Sequence, residues 1–216
     1  MSLGDILAEL LFPGKCVFCE RVLPRGEREV CPACRRSLPY RRAGEKTTGF
    51  VAWVASPLYY EGKVKDSLHR YKFGGRAHYA GSYAALMAET LAERRDDYDL
   101  ISHVPLHPAR RRQRGYDQAE ELARELSGRL DVEWRPLLKK LRNAPPQSRT
   151  GDATARRANI SGCYGLLEGA AAEGRRVLLV DDIFTTGATM SECARILKMH
   201  GAAEVCGAVV ACSRGE

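Results

Sequence analysis

Two acidic residues and a hydroxyl-rich turn form the stretch of this sequence that is best suited to chemistry. Asp181 and Asp182 directly follow residues 177–180, an apolar run of the kind found in buried parallel strands. After them, residues 190–200 have apolar side chains at helical spacing, and residues 204–212 predict another strand. The turn between them contains small and hydroxyl-bearing residues, namely Thr185, Thr186, Gly187, Ala188 and Thr189. The stretch therefore predicts a strand, a functional loop, a helix and a second strand.

These residue types suit a sugar phosphate as ligand. Small residues let backbone N–H groups approach a phosphate, threonine hydroxyls donate further hydrogen bonds, and the following helix adds the positive end of its dipole. Two carboxylates can accept hydrogen bonds from a vicinal diol and can help to hold a hydrated Mg²⁺. The alternative is an acidic strand end in an ordinary doubly wound domain. A P-loop is excluded because no Gly-Lys-Ser/Thr follows the turn.

Residues 176–189 resemble the 5-phosphoribosyl-1-pyrophosphate (PRPP) motif of type I phosphoribosyltransferases, a hydrophobic strand followed by two acidic residues and a Thr/Gly-rich loop. The resemblance implies an α/β fold with a type I phosphoribosyltransferase-like parallel sheet flanked by helices. It also implies that Asp181 and Asp182 bind the ribose hydroxyls, directly or through Mg²⁺, and that residues 185–189 bind the 5-phosphate.

A second strand–loop–helix unit is basic rather than acidic. Residues 99–105 predict a strand, residues 106–114 a loop, and Asp117 with Glu120 matches a helix N-cap followed by glutamate at position N3. The planar fork of arginine suits bidentate contact with phosphate oxygens. The loop, interpreted as a pyrophosphate or nucleic-acid site, contains Arg110, Arg111, Arg112 and Arg114. A solvated basic face is the alternative.

The charge of the whole chain is positive and unevenly distributed. The net charge is +7, and residues 105–160 hold 13 Lys and Arg against seven Asp and Glu. Such a concentration indicates a polyanionic partner, either pyrophosphate or nucleic acid. No apolar run approaches the roughly 20 residues that span a bilayer. Residues 1–15 predict a short amphipathic helix that packs on the core or docks a partner, and they make a poor signal peptide. We therefore expect a cytoplasmic protein.

Four cysteines near the N-terminus have the spacing of a metal site. They form a C-x2-C-x11-C-x2-C pattern of two tight knuckles: Cys16, Cys19, Cys31 and Cys34. This pattern predicts a structural Zn²⁺ held by four thiolates in a small zinc-ribbon-like module. Two disulfides are disfavoured in a reducing compartment, whereas an iron site with the same ligands stays open. We expect a helix and zinc module over residues 1–45 and a phosphoribosyltransferase-like domain over residues 46–216.

The order and spacing of these pieces resemble the ComF family over nearly the whole chain. The matching pieces are the N-terminal leucine helix, the four cysteines, Lys72-Phe73-Gly74, residues 104–118, Gln147 with residues 156–159, and residues 180–189. One departure is Asp117, where the family pattern commonly has asparagine. An acid there adds negative charge beside the basic loop unless it serves only as the helix cap. Residues 137–164 predict an excursion from the sheet that acts either as a lid or as a surface loop.

The ComF resemblance implies a function in DNA uptake during natural transformation. It implies binding of PRPP or another phosphoribosyl ligand with Mg²⁺, with single-stranded DNA and DNA-uptake proteins as candidate partners. The alternative is an active transferase that moves the phosphoribosyl group of PRPP onto an unidentified base or amine. Amidophosphoribosyltransferase activity is disfavoured, because Ser2 stands where that enzyme type has a cysteine nucleophile and no room is left for a glutaminase domain.

Overall fold

The structure is a computed structural model that describes residues 14–24, 27, 29–41, 46–142, 160 and 162–214. Its strands are β1 (Lys46–Thr48), β2 (Val51–Ala55), β3 (Leu58–Tyr59), β4 (Leu100–His103), β5 (Leu138–Lys140), β6 (Tyr164–Leu166), β7 (Arg176–Phe184) and β8 (Glu204–Cys212). Its α-helices are α1 (Pro32–Ser37), α2 (Gly62–Phe73), α3 (Tyr79–Leu91), α4 (Pro108–Arg114), α5 (Gln118–Leu130) and α6 (Ala188–Met199), and a 3-10 helix spans Ala92–Asp97.

A mostly parallel six-stranded sheet forms the centre of the molecule. Its strand order is β1-β2-β8-β7-β4, and β3 also pairs with β8. β1 is antiparallel to β2, whereas β2, β3 and β7 run parallel to β8, and β4 runs parallel to β7. Val177 and Val180 face Val205 and Ala208 across the central pair. This sheet, flanked by helices, confirms the predicted fold class.

Helices cover both faces of the sheet, which explains why its central strands are apolar throughout. Side chains alternate between the faces of a strand, so Leu178 packs in one hydrophobic cluster and Leu179 in the other. Helices α3 and α5 pack on the first face, and α6 with the β5–β6 hairpin packs on the second. The apolar stripe of α5 includes Leu122 and Leu126, both fully buried.

The cysteine-rich segment packs directly on helices α2 and α3. Ser67 donates a hydrogen bond to the carbonyl oxygen of Val17 (2.5 Å), and Arg70 donates to the carbonyl oxygens of Val17 and Phe18 (3.0 Å each). The Phe18 ring meets the Tyr83 ring edge-on, with 6.1 Å between the centroids. The segment thus shares a hydrophobic cluster with one face of the sheet. The boundary expected near residue 45 stays a prediction, because residues 42–45 lie outside the described part.

Residues 106–114 were expected to form a loop, and that expectation is wrong for most of the segment. Helix α4 begins at Pro108, which fits the first turn because it needs no N–H donor there. The His107 ring accepts a hydrogen bond from the Ala109 backbone N–H (3.2 Å) and caps the helix. Gly115 ends it in a left-handed conformation, with φ of 85°. The four arginines of this segment are compatible with a helix, because arginine is a good helix former.

Strand β7 continues beyond the predicted strand end. Asp181 was placed after the strand, yet it pairs in register with Val209, and pairing continues to Phe184 opposite Cys212. The strand extends because β8 is nine residues long and pairs with β7 in parallel up to Phe184. Several predicted features lie outside the described residues: most of the N-terminal helix, Gln147 and residues 156–159. Among the described helices, none has both the length and the apolarity needed to cross a membrane.

Candidate functional site

An open pocket lies beside the carboxyl-end half of β7 and the segment that leaves β4. Its volume is about 430 Å³, and its polar lining includes Lys72, Arg110, Arg114, Asp117, Lys140, Tyr164, Asp181, Asp182, Thr185 and Thr189. Ligands of open α/β sheets bind at this edge, where strand ends and helix starts converge. The structure thus brings the acidic pair, two threonines of the turn and two of the four arginines around one volume.

The two aspartates point to opposite faces of β7. Asp182 shares the face of Leu178 and forms an ion pair with Lys72, whose Nζ lies 2.9 Å from Oδ1. Asp181 shares the face of Leu179, and its Oδ1 accepts a hydrogen bond from the Asp182 backbone N–H (2.8 Å). Burial raises the pKa of the Asp181 carboxyl, and the nearby Asp182 carboxylate raises that pKa further. A cation or a hydroxyl donor would therefore be favoured beside Asp181.

The turn after β7 surrounds a small cavity of about 50 Å³. Thr185, Thr186, Gly187, Ala188 and Thr189 all line it, together with Asp181. The Thr186 hydroxyl accepts a weak hydrogen bond from the Ala188 N–H (3.5 Å), and α6 begins at Ala188. The first turn of a helix offers N–H groups that have no partner within the helix, which suits an anion. All five residues predicted for phosphate binding therefore line one cavity, and their binding of phosphate stays a prediction.

Gly187 is required by the geometry of this turn. Its φ is +73°, and a Cβ built on it would lie 2.5 Å from the Phe184 ring. A side chain would thus clash with the ring and force the backbone into an unfavourable region. The glycine lets the chain pass from β7 into α6 within three residues.

Helix α4 divides the four arginines between two directions. Arg110 and Arg114 are four residues apart, share one helix face and line the pocket. Arg111 instead pairs with Glu120, with 2.8 Å between Nη1 and Oε2, and Arg112 is exposed. The helix therefore determines which arginines can reach a ligand bound beside Asp181. A loop prediction could not distinguish among the four.

Several pocket residues were not predicted as site residues, among them Lys72, Lys140 and Tyr164. Lys72 lies at the end of α2. The only sequence signal that could have identified it as a site residue is its position in the Lys-Phe-Gly element of the family. Lys140 and Tyr164 face each other across the β5–β6 hairpin, with Nζ 5.0 Å from the ring centroid. Burial lowers the pKa of Lys140. Both residues belong to the segment interpreted as an excursion, where no local pattern marks them.

A buried cluster of His103, Asp117 and Glu120 lies beneath the start of α5. Their potential ligand atoms all lie within 4.8 Å of one another. Asp117 Oδ1 accepts from the N–H groups of Ala119 and Glu120, and Oδ2 accepts from that of Leu106. Its N-cap role is therefore as predicted, and its oxygens are engaged by backbone donors.

The charges in this cluster argue against a metal ion there. Glu120 forms ion pairs with Arg111 (2.8 Å) and Arg124 (2.9 Å), so two guanidinium groups already balance the two carboxylates. A divalent cation would add uncompensated positive charge in a buried place, which is costly. We therefore interpret the cluster as an anchor that ties the end of β4 to α4 and α5.

The four N-terminal cysteines converge on a common point. Their Sγ atoms all lie within 4.8 Å of one another, and those of Cys19 and Cys31 are 3.7 Å apart. Tetrahedral zinc with bonds of about 2.3 Å separates its sulfur ligands by about 3.8 Å, whereas a disulfide bond is about 2 Å long. The donor set and spacing therefore fit a structural zinc held by Cys16, Cys19, Cys31 and Cys34.

The mostly parallel sheet, the acidic strand β7 and the small-residue turn that follows it define a phosphoribosyltransferase-type domain. Residues 113–216 match the family model described as "Phosphoribosyl transferase domain". The chain is 30% identical over 207 residues to the DNA utilization protein YhgH of Escherichia coli (strain K12), covering 89% of this chain and 87% of that protein.

Two further relatives carry competence names. The chain is 26% identical to Competence protein F of Haemophilus influenzae, covering 90% of this chain and 95% of that protein. It is also 26% identical to Competence protein ComFC of Bacillus subtilis, covering 87% and 79% of the two chains. The chain belongs to the ComF family of phosphoribosyltransferase-like proteins.

Proposed function

We propose that this chain binds PRPP or a related phosphoribosyl ligand, together with Mg²⁺, in the pocket beside β7. The 5-phosphate would bind the turn of residues 185–189, and the ribose hydroxyls would bind Asp181 and Asp182. The pyrophosphate would bind Arg110 and Arg114. The observation that carries this proposal is that all of these groups line one pocket or the small cavity joined to it through Asp181.

The charge of the pocket supports a polyanionic ligand. Lys72, Arg110, Arg114 and Lys140 contribute four cations against the two carboxylates of the acidic pair and the capped Asp117. Asp181 and Asp182 would hold Mg²⁺, which would supply positive charge to offset that of the phosphate groups. The residues of the chain would bind and orient the ligand. The turn of residues 185–189 would position the phosphate, and Arg110 with Arg114 would hold the other end of the ligand.

The test is calorimetric titration of PRPP with Mg²⁺ into the wild-type chain and into the double variant Asp181→Asn with Asp182→Asn. The wild type should bind, and the double variant should lose at least tenfold in affinity while it keeps its circular dichroism spectrum. Asp66→Asn is the matched control, because Asp66 is exposed on α2 away from the pocket. Equal affinity in the double variant would refute the assignment of the acidic pair.

The four-cysteine cluster is proposed to hold one zinc ion with a structural role. A complete set of four thiolates leaves no open coordination position for a substrate, as is usual for structural zinc sites. The thiolates also suit a reducing compartment, so we propose a cytoplasmic location.

We further propose that the chain acts in DNA uptake or utilisation and contacts single-stranded DNA through the outer face of α4. The names of the relatives support the role in DNA uptake. The exposed position of Arg112, away from the pocket, supports the contact. Proteins of the DNA-uptake machinery are the proposed protein partners.

This contact can be tested through its dependence on salt. Each arginine that neutralises a phosphate of a single strand contributes roughly 0.7 to the slope of log affinity against log salt. Arg112→Gln should lower that slope by about this amount in anisotropy titrations with a labelled oligonucleotide. Arg36→Gln, an exposed arginine on α1, should leave the slope unchanged. Identical slopes for Arg112→Gln and the wild type would refute the contact.

A second candidate function is transfer of the phosphoribosyl group. A groove of about 400 Å³ beside the pocket favours it, because it leaves room for an acceptor; the groove is lined by Lys72, Phe73, Arg110, Gln113 and Arg114. In that reaction an acceptor nitrogen bonds to C1 of the ribose while the C1–O bond to pyrophosphate breaks. Pyrophosphate leaves with the electron pair, and the acceptor proton passes to water. Release of pyrophosphate that depends on an added acceptor supports transfer, whereas tight PRPP binding without release supports a binding module.

A further inference from the structure

The ion pair between Lys72 and Asp182 occupies part of the pocket proposed for the phosphoribosyl ligand. Lys72 Nζ lies 2.9 Å from Asp182 Oδ1, and the two side chains are only 23% and 11% exposed. Both residues line the pocket, and Lys72 also lines the groove beside it. One oxygen of the acidic pair is therefore already bound to a cation that belongs to the chain itself.

The charge of Lys72 acts on both carboxylates of the acidic pair. Among the residues that the structure describes, Lys72 is the one that forms an ion pair with Asp182. Burial and the Asp182 carboxylate raise the pKa of Asp181, whereas the charge of Lys72 lowers it. A free divalent cation must compete with this ammonium group, because two cations that share one carboxylate repel each other strongly at close range. Lys72 therefore weakens the binding of free metal by the pocket.

The other charged groups of the pocket indicate where Lys72 can move. Arg110 and Arg114 line both the pocket and the groove, as Lys72 does. An anion that contacts these two arginines would thus lie in the space around the lysine. The lysine side chain is a point charge on a flexible four-carbon stem, so Nζ can exchange one partner for another while α2 stays in place. The Asp117 carboxylate does not attract it away, because backbone N–H groups already engage both of its oxygens.

We propose that Lys72 is a tethered counter-ion that makes the pocket specific for a divalent cation and an anion that bind together. In the empty pocket Lys72 neutralises Asp182. When both ligands enter, Lys72 leaves Asp182 to the metal and moves to the phosphate oxygens beside Arg110 and Arg114. The carboxylate and the anion each have a cationic partner in the filled pocket. The inference rests on the proposed phosphoribosyl site, to which it adds a residue that selects against free metal.

The first measurement is the affinity of the full chain for Mn²⁺ without any anion, followed by electron paramagnetic resonance. Mn²⁺ stands in for Mg²⁺, because both ions prefer oxygen ligands. Lys72→Met should bind Mn²⁺ roughly tenfold more tightly than the wild type, because a competing positive charge is lost. A merely structural role predicts the opposite, since a damaged pocket binds metal less tightly. Equal or weaker binding of Mn²⁺ by Lys72→Met would overturn the proposal.

Three further variants test whether the gain depends on the charge at Lys72 and on Asp182. Lys72→Arg keeps the positive charge and should retain the low affinity of the wild type for Mn²⁺. The double variant Lys72→Met with Asp182→Asn should lose the gain, because the carboxylate that the metal would occupy is absent. Lys65→Met is the matched control, because Lys65 is an exposed lysine on α2 that lines neither volume. A gain of the same size in Lys65→Met would assign the effect to net charge and overturn the proposal.

The second measurement repeats the Mn²⁺ titrations in the presence of inorganic pyrophosphate. Pyrophosphate should raise the affinity for Mn²⁺ more in the wild type than in Lys72→Met, because only the wild type has an ammonium group to draw away from Asp182. By linkage, Mn²⁺ should raise the affinity for pyrophosphate by the same factor. Chelation of Mn²⁺ by pyrophosphate in solution is the same for both chains and cancels in the comparison. An equal increase in both chains would overturn the movement of Lys72 to the anion.

Failure of this inference can be told apart from failure of the proposed function. If PRPP binds and requires the acidic pair, but Lys72→Met gains no affinity for Mn²⁺, the counter-ion role is refuted and the phosphoribosyl site remains. If Lys72→Met shows the gain and the pyrophosphate effect, but neither PRPP nor ribose 5-phosphate binds, the phosphoribosyl site is refuted. Lys72 then keeps its assigned role in a site for a metal and an anion.

Discussion

Lys72 Nζ lies 2.9 Å from Asp182 Oδ1, and this ion pair connects the end of α2 to the acidic strand β7. The Asp182 residue is only 8% exposed, so its carboxylate depends on Lys72 for compensation of charge. The same helix holds the cysteine-rich segment through Ser67 and Arg70. A single helix therefore connects the candidate zinc site, the pocket and the groove.

Removal of Lys72 should destabilise the protein through Asp182. Lys72→Met leaves a largely buried carboxylate without its partner, which should cost about 3 kcal/mol of the free energy of unfolding. Urea denaturation measures the loss. The double variant Lys72→Met with Asp182→Asn should recover most of it, because the unpaired charge is then absent. Simple addition of the two single effects would contradict this interpretation of the pair.

Removal of the metal should loosen α2 and weaken ligand binding at a distance. Without an ion to hold the four cysteines together, the backbone of Val17 and Phe18 can leave Ser67 and Arg70. We expect about one zinc per chain by elemental analysis, and loss of it in Cys19→Ser, with a lower melting temperature and weaker PRPP binding. Cys163→Ala should keep its metal, because Cys163 lies outside the cluster. Iron at about one ion per chain would correct the identity of the metal.

His103 should make the stability depend on pH below about 6.5. Burial lowers the pKa of His103 in the folded chain, although Asp117 and Glu120 oppose this shift. The unfolded chain therefore takes up a proton first as the pH falls, so stability is present above the unfolded pKa of about 6.5 and is lost as the pH falls through this window. The slope from one group is at most about 1.4 kcal/mol per pH unit.

Urea denaturation of His103→Gln across this pH range checks the assignment. The variant should lose the part of the slope that comes from His103, whereas His69→Gln should keep it, because His69 is exposed on α2. If both variants retain the wild-type slope between about pH 5 and pH 7, another group is responsible.

Gly187→Ala should damage the turn after β7. The added Cβ would meet the Phe184 ring at 2.5 Å, and alanine strongly disfavours a φ of +73°. We expect a loss of about 1–3 kcal/mol in the free energy of unfolding and weaker PRPP binding. Gly128→Ala is the control: it lies within α5 with open space around its Cβ position, so it should stabilise by about 0.5–1 kcal/mol. Unchanged PRPP affinity in Gly187→Ala would remove the turn from the binding site.

The acidic pair, the small-residue turn and the spacing of the four cysteines could all be recognised in the sequence, because each depends on residues that are close along the chain. Local rules also predicted Asp117 as the helix cap and the apolar strands that form the sheet. The start of α4 at Pro108 and its end at Gly115 were equally local signals, and a helix rather than a loop could have been predicted from them.

The tertiary structure alone decided which of these residues share a site. Lys72, Phe73 and Lys140 reach the pocket or the groove from elements that are far from β7 in the chain. No local sequence pattern predicts that these residues lie close to β7. Arg110 and Arg114 lie on the face of α4 that lines the pocket, whereas Arg112 lies on an exposed face. The sequence by itself therefore determined the chemistry of the motifs and the fold class, since these follow from local residue types and periodicity. Packing of distant elements decided the composition of the pocket, because side chains separated along the chain become neighbours only when the sheet and helices are assembled.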